Sequence, residues 1–323
     1  MKPSVNKTIL LLIAAFLGVF SSAFTFNKED DNAAQLEGTI SISGAFALYP
    51  LAVKWGQEFK KIHPNVNFDI SAGGAGKGIS DALGGMVDLG AVSRDLYPEE
   101  IKKGAYPVSV TKDAVVPTVN ANNPNIAQIL SKGIKKETFI GIFISGTIKN
   151  WKQAGFTVAA PINTYTRSDA AGAAETWAKY LGNKKQEDLK GTGVYGDPGL
   201  LQAIKRDKAS IGYNNIGYAY DAKTKQQLAG IKVIPIDKNG NGKIDADENF
   251  YTTIDEIRAA IADGKYPSPP ARELFFVSKK KPQRPEVVTF LKWILTDGQK
   301  YVAEAGYIGF SKERLEAELK KLQ

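Results

Sequence analysis

Three glycine-rich turns carry the side chains and backbone groups best suited to hold an anion. They are Ser41-Ile42-Ser43-Gly44-Ala45-Phe46, Ser71-Ala72-Gly73-Gly74-Ala75-Gly76-Lys77-Gly78 and Arg167-Ser168-Asp169-Ala170-Ala171-Gly172-Ala173. Each follows a strand-like run and precedes a helix-like one. Glycine lets the chain bend sharply and lets a ligand approach the amides. The helix start behind it offers unpaired N–H groups and about half a positive charge. The candidate ligand residues are therefore Ser43, Gly44, Ala45 and Phe46 in the first turn, and Gly74, Ala75, Gly76 and Lys77 in the second. Arg167, Ser168, Ala171, Gly172 and Ala173 serve in the third, with Ser93 and Arg94 from a further turn. The second turn is not a P-loop, because Gly78 stands where Ser or Thr must follow Lys77, and it lacks the dinucleotide fingerprint.

A different chemistry is written at Asp237 to Glu248. Asp237, Asn239 and Asn241 fall at positions one, three and five of an EF-hand loop. Gly242 allows its sharp bend, Lys243 offers a carbonyl, Asp245 binds through water, and Glu248 supplies two oxygens. The pattern predicts a structural Ca2+ site. The preceding Ile231 to Ile236 reads as a strand, not an entering helix, so a paired-helix switch is not expected.

Covalent catalysis has little to work with. The chain has 1 His and 0 Cys, which excludes thiol nucleophiles, thiolate metal sites and nearly every Ser-His-Asp arrangement. His63 precedes Pro64 at the end of a helix-like run and reads as a C-terminal cap. Asp169, beside Arg167 and Ser168, is the acidic group best placed for chemistry. It keeps open a carboxylate-based phosphoester hydrolase, and the calcium loop keeps open a calcium-dependent surface or adhesion protein. A non-enzymatic binding protein is the leading reading.

The elements that must position these turns alternate. Thr39 to Ser43 is a β run, Pro50 to Ile62 places Leu51, Trp55, Phe59 and Ile62 on one helical face, and Val66 to Ser71 alternates as a strand. A helix at Ile79 to Leu83 and an apolar strand at Val87 to Val92 continue a β-α-β-α order, hence an α/β fold. Ala114 to Val119 is the first crossover into a second lobe and Leu274 to Val277 carries the chain back. Amphipathic helices at Pro285 to Tyr301 and Glu313 to Leu322 close the fold. The expected organisation is lobe 1 at 36–114 plus 275–323 and lobe 2 at 115–274, joined by two crossover strands around a cleft that can hinge shut.

The first 23 residues read as a signal peptide. Lys2 and Lys7 precede an apolar run of 12 residues, Ile9 to Phe20, and Ser21-Ser22-Ala23 suits cleavage. Such a run spans only ~18 Å as a helix, against ~30 Å of bilayer hydrocarbon. The 323 residues carry 42 Lys and Arg against 34 Asp and Glu, and losing two lysines with the leader leaves 40 − 34 = +6. These charges are dispersed as Lys-Lys pairs, so nucleic-acid binding is not expected.

In order, these segments resemble the periplasmic phosphate-binding proteins of ABC transporters. The resemblance is carried by Ser43-Gly44 with Tyr49-Pro50, Gly73 to Gly76 with Asp88 to Ala91, and Ser93-Arg94. Ile142-Phe143 through Gly146 to Asn150-Trp151, Arg167 to Gly172, Ile211-Gly212-Tyr213 and Tyr266-Pro267 complete it, from about Gly38 to Tyr307. It implies a two-lobed periplasmic-binding-protein fold, a monomer that closes over phosphate or a related small oxyanion, and delivery to an ABC transporter permease. In that family Ser and Thr hydroxyls donate to phosphate, an Arg neutralises it and an Asp accepts its proton; Arg167 matches that arginine. The sequence departs from the family at Ala45 with Phe46, Ala75, Ala171 and Ala173, where hydroxyls are usual. Molybdate, tungstate, phosphonate or a carboxylate are the alternative ligands.

Overall fold

The structure, a computed structural model, describes residues 36–323. The expected signal peptide lies outside the described residues. In chain order the first elements are β1 (Gly38–Gly44), α1 (Tyr49–Ile62), β2 (Val66–Ala72), α2 (Ala75–Gly84), β3 (Leu89–Val92) and α3 (Pro98–Lys102). Then come β4 (Ala105–Asn120), α4 (Ile126–Lys132), α5 (Lys136–Ile140), β5 (Asn163–Arg167), α6 (Gly172–Tyr180), β6 (Thr192–Val194) and α7 (Gly196–Arg206). The chain ends with β7 (Ser210–Asn215), β8 (Ile231–Val233), α8 (Ile254–Ala262), β9 (Ala271–Lys279), α9 (Pro285–Ile294), α10 (Lys300–Glu304) and α11 (Lys312–Lys321). The strands form one path, β2-β1-β3-β9-β4-β7-β5-β6, with β8 added to β4.

The architecture turns on β4 and β9, which run antiparallel from Ala105↔Lys279 to Ala114↔Ala271. Beyond Ala114, β4 pairs instead with β7, from Val115↔Asn215 onward. Its first part thus completes one sheet half and its last part the other. Two separate hydrophobic cores flank this change of partner. One is built from Ile40 to Val110 and Leu274 to Leu322, the other from Ala114 to Ala271 with Ile308. We call these halves lobe 1 and lobe 2.

Local chemistry explains the elements that matter most. Helix α1 buries Leu51, Trp55 and Phe59 completely, at successive fourth positions, and each such side chain contributes about 1.5–3 kcal/mol by leaving water. His63 stands at its C-cap, donating its N–H to the Phe59 carbonyl at 2.9 Å. Helix α2 starts four residues before the predicted Ile79, directly after Gly74. It stops at Gly85, whose left-handed φ of 72° suits glycine. The predicted helix over Pro285 to Tyr301 is interrupted after Ile294. There Trp55 Nε1 donates to the Gly298 carbonyl at 2.8 Å, which fixes the break between α9 and α10. No helix among the described residues is long and apolar enough to cross a membrane.

Candidate functional site

The first two glycine turns are welded together within lobe 1. Gly44, at φ 131°, ends β1 where any Cβ would lie 2.7 Å from the Cα of Gly78. Its carbonyl accepts the N–H groups of Gly73 and Gly74 at 2.8 and 3.0 Å. Parallel pairing aligns Gly44 with Ala72 on β2 and Ala91 on β3. The carboxyl ends of three adjacent strands, where α/β sheets bind ligands, therefore point the α2 start toward lobe 2.

Lobe 2 answers with Arg167. Its Nε donates to Asp169 Oδ1 at 2.8 Å, Nη2 to Asp169 Oδ2 at 2.6 Å, and Nη1 to Asp197 Oδ2 at 2.6 Å. The Arg167 side chain is only 1% exposed. These carboxylates outweigh the burial that disfavours its charge, and hold its guanidinium well above the usual arginine range. Asp169 Oδ1 also accepts the Gly196 N–H at 3.0 Å, and Asp197 Oδ1 accepts from Asn215 Nδ2 at 2.6 Å. Three strand ends thus converge: β5 supplies Arg167, β6 leads to Gly196 and Asp197, and β7 ends at Asn215. Burial, with the nearby Asp197 charge adding to it, pushes the Tyr218 hydroxyl up, so it faces this cluster as a neutral phenol.

The two lobes touch here. Gly76 N–H donates to the Ala170 carbonyl at 2.9 Å, and a Cβ on Gly74 would lie 2.7 Å from Asp169 Oδ2. A Cβ on Gly172 would lie 2.7 Å from the Ser93 carbonyl carbon. The Phe46 ring lies 5.4 Å from the Arg167 guanidinium carbon and 5.9 Å, edge to face, from Tyr195. The start of α2 and the start of α6 therefore meet across one junction, with Arg167 beneath Phe46. The first N–H groups of each helix have no intrahelical acceptor; that of Gly76 is taken by the Ala170 carbonyl across the junction, and the Ala171 N–H beside the α6 start donates to Gln186 Oε1 at 2.9 Å. Lys179 on α6 adds an ion pair to Asp95 at 2.6 Å. A cavity of about 590 Å³, lined from both lobes by Arg94, Tyr97, Glu175, Lys179 and Arg272, lies beside the junction rather than at it.

The candidate residues separate by placement. Phe46, Gly74, Gly76, Ser93, Arg167 and Gly172 are brought together. Ala45, Ala75, Ala171 and Ala173 are buried in the walls behind them. Ser168 is exposed at the rim, its N–H held by the Val194 carbonyl at 3.0 Å. Ser43 turns toward α2, donating to Asp81 Oδ2 at 2.7 Å, and Lys77 pairs with the same Asp81. Arg94 binds both oxygens of Glu100, at 2.9 and 2.6 Å, and stacks on Tyr97. Sequence reasoning missed Asp197, Asn215 and Tyr218. Tyr195-Gly196-Asp197-Pro198-Gly199 is a fourth strand-glycine-helix start, and that signal would have found Asp197.

The EF-like loop folds around its first residue. Asp237 accepts the N–H groups of Gly240 and Gly242 at 2.7 and 3.0 Å, and Gly242 has the φ of 81° that the bend requires. The Asn239 and Asn241 amides donate to Asp245 at 2.9 and 2.7 Å. With Lys243, they hold the Asp245 carboxyl down at about 2. The backbone makes the bend at Gly242, whereas the Asp245 oxygens are taken by the Asn239 and Asn241 amide N–H groups and the Lys243 ammonium. Among the described residues no three His, Asp or Glu side chains converge as a metal cluster.

Two α/β lobes spanned by two crossover strands, with helix starts and a buried arginine meeting between them, define a bilobed ligand-binding protein. The PBP superfamily domain matches residues 30–298. The phosphate-binding protein PstS of Bacillus subtilis is 31% identical over 261 residues, covering 76% of this chain and 83% of that protein. Protein SphX of Synechococcus elongatus is 25% identical over 323 residues, covering 95% and 86%. A phosphate-bound crystal structure from Clostridium perfringens, described as an ABC transporter substrate-binding protein, superposes with a TM-score of 0.69. It is 23% identical and covers 85% of this chain and 100% of the other. The chain belongs to the PBP superfamily, among the phosphate-binding proteins of ABC transporters.

Proposed function

We propose that this protein is the extracytoplasmic, non-enzymatic receptor of an ABC importer, and that it captures inorganic phosphate between its lobes for delivery to the permease. One observation carries the reading: the α2 and α6 starts meet across the lobes at Arg167. Backbone donors and one guanidinium can replace the water of a small oxyanion there. The site residues are Phe46, Gly74, Ala75, Gly76, Ser93, Arg167, Ser168 and Gly172, with Asp169 and Asp197 accepting the ligand's own proton. With His63 at a helix C-cap and no cysteine in the sequence, the junction has neither a histidine base nor a thiol nucleophile. The dispersed charge supports a protein that does not bind nucleic acid; the family likeness supports a monomer, exported by its first 23 residues.

A thermal-shift panel tests the ligand. Phosphate at 1,000 times its dissociation constant adds about 4 kcal/mol of stability. A rise with phosphate, and not with sulfate, molybdate, tungstate, phosphonates or carboxylates, supports the reading. A rise with another of these anions alone replaces the ligand, and no rise with any removes the site. Phosphate released from an ester would reinstate the hydrolase.

The Asp237 to Glu248 loop is proposed to hold a structural Ca2+. Its support is the spacing of oxygen-bearing residues, the bend at Gly242 and the wrapped Asp237. Binding would turn the Asn239 and Asn241 amides so that their oxygens face the ion and release Asp245. The expected result is a calcium-dependent rise in melting temperature that Glu248→Gln abolishes; an identical melt in chelator and calcium excludes the site.

A further inference from the structure

Arg272 lies on β9 directly opposite Asp113 on β4, where both crossover strands pass from one core to the other. Its Nε donates to Asp113 Oδ1 at 2.9 Å. Its Nη1 donates to Thr176 Oγ1 at 3.0 Å, and Nη2 donates to Asn215 Oδ1. One guanidinium thus grips the crossover, the second turn of α6 and the end of β7. Asn215 passes the contact on, donating to Asp197 Oδ1 at 2.6 Å, and Asp197 Oδ2 receives Arg167 Nη1 at 2.6 Å.

Every member of this chain is buried. The side chains of Arg272 and Asp113 are 6% and 1% exposed, and those of Arg167 and Asp197 are 1% and 2%. Two buried arginines and two buried aspartates are an expensive way to pack two strands, and apolar residues of similar volume would hold them at least as firmly. What a hydrogen-bonded chain adds is direction: each donor fixes the orientation of the next acceptor. Arg167 has only two of its five N–H groups outside the bonds to Asp169 and Asp197. Their aim depends on where Asp169 and Asp197 are held, and Asn215 holds Asp197.

We infer that Arg272 and Asn215 are positioning residues for anion capture, linking the crossover strands to Arg167 through Asp197 and to the α6 start through Thr176. The inference rests on Arg167 being the anion-binding arginine. Bending of β4 against β9 moves Arg272 and so re-aims Arg167 and α6 together. By linkage, an anion held by Arg167 biases the crossover toward the geometry seen here.

The experiment is a double-mutant cycle on the full mature protein, reading phosphate affinity by titration calorimetry and ligand-free melting separately. Asn215→Ala leaves the Arg272–Asp113 and Arg167–Asp197 pairs in place, and is expected to weaken phosphate roughly 5- to 30-fold. Arg272→Lys is expected to weaken it similarly, because an ammonium cannot grip three elements at once. The double variant should bind no worse than the weaker single one, since both cut one chain. A folded Asn215→Ala with affinity within about twofold of the parent, or strictly additive losses, overturns the inference. Should Asn215→Ala not fold, Thr176→Val, which removes only the α6 branch, decides in its place: weaker phosphate supports the inference and unchanged affinity overturns it. A parent protein that binds no phosphate fails the underlying site reading instead, a result visible before any variant is made.

Discussion

Gly76→Ala separates closure from folding. Gly76 lies in the first turn of α2 with an ordinary negative φ, so alanine suits it locally. The nearest atoms to its new Cβ all belong to Ala170 of lobe 2: that residue's own Cβ, within van der Waals overlap, then its O at 3.3 Å and Cα at 3.6 Å. The closest contacts of the methyl group are therefore across the junction, with lobe 2. Overpacking costs about 1–3 kcal/mol and the strained Gly76–Ala170 hydrogen bond about 0.5–1.5 kcal/mol. A closed state raised by about 2–4 kcal/mol weakens the ligand by roughly 30- to 1,000-fold. Lower unfolded-chain entropy meanwhile adds about 0.4–1 kcal/mol to ligand-free stability. Titration calorimetry with phosphate and scanning calorimetry without it read the two effects. Unchanged affinity, or a loss of ligand-free stability as large as the loss of binding, refutes the closure argument.

Burial pushes the Glu100 carboxyl up, but Arg94 and the Tyr97 N–H outweigh it and hold the group below 4.5. Its contribution is then fully present above pH 4.5 and is lost as pH falls through the lower folded value, so Glu100→Gln should flatten the acid limb of a melting-temperature profile. Trp177 is fully buried among Phe139, Phe143 and Tyr213, and its Nε1 makes no hydrogen bond. Trp177→Phe should therefore lose only volume, whereas Trp177→Ala should cost about 3–5 kcal/mol in a urea titration. Asp169→Asn should narrow discrimination between phosphate and sulfate by roughly tenfold, read by competition titration, because one acceptor for the ligand's proton is gone.

The elements around the cleft were legible because their signals are local. The strand-like runs before the first two glycine turns gave β1 and β2 to within a residue, and the Leu51-Trp55-Phe59 spacing gave α1. What pairs with what was not legible. Lys77 and Arg94 read as spare cations for an anion, but each has an acid on its own helical or turn segment, Asp81 and Glu100, at i+4 and i+6. Asn215 and Arg272 carry no motif. Their roles exist only because antiparallel pairing sets Val115 against Asn215 and Asp113 against Arg272. The break in the predicted last long helix follows from a tertiary contact, the Trp55 indole on the Gly298 carbonyl, and periodicity alone cannot report that.

The electrostatics of the junction set what kind of receptor it can be. Arg167 contributes +1 and the formally ionised Asp169 and Asp197 contribute −2, so the cluster stands at 1 − 2 = −1 before any anion enters. An anion seated only on that arginine would be repelled: at roughly 5 Å and an effective dielectric of about 20, each unit charge is worth about 3 kcal/mol. Capture must therefore draw on the helix-start amides, which bring positive potential without a counter-charge. It must also favour ligands carrying a proton that the carboxylates can accept. Hydrogen phosphate carries one at neutral pH and sulfate does not, so sulfate would face a buried acceptor with nothing to give it, at about 1–3 kcal/mol. The alanines that replace hydroxyls at Ala75, Ala171 and Ala173 fit this division, since they leave recognition to backbone N–H groups and to two acids.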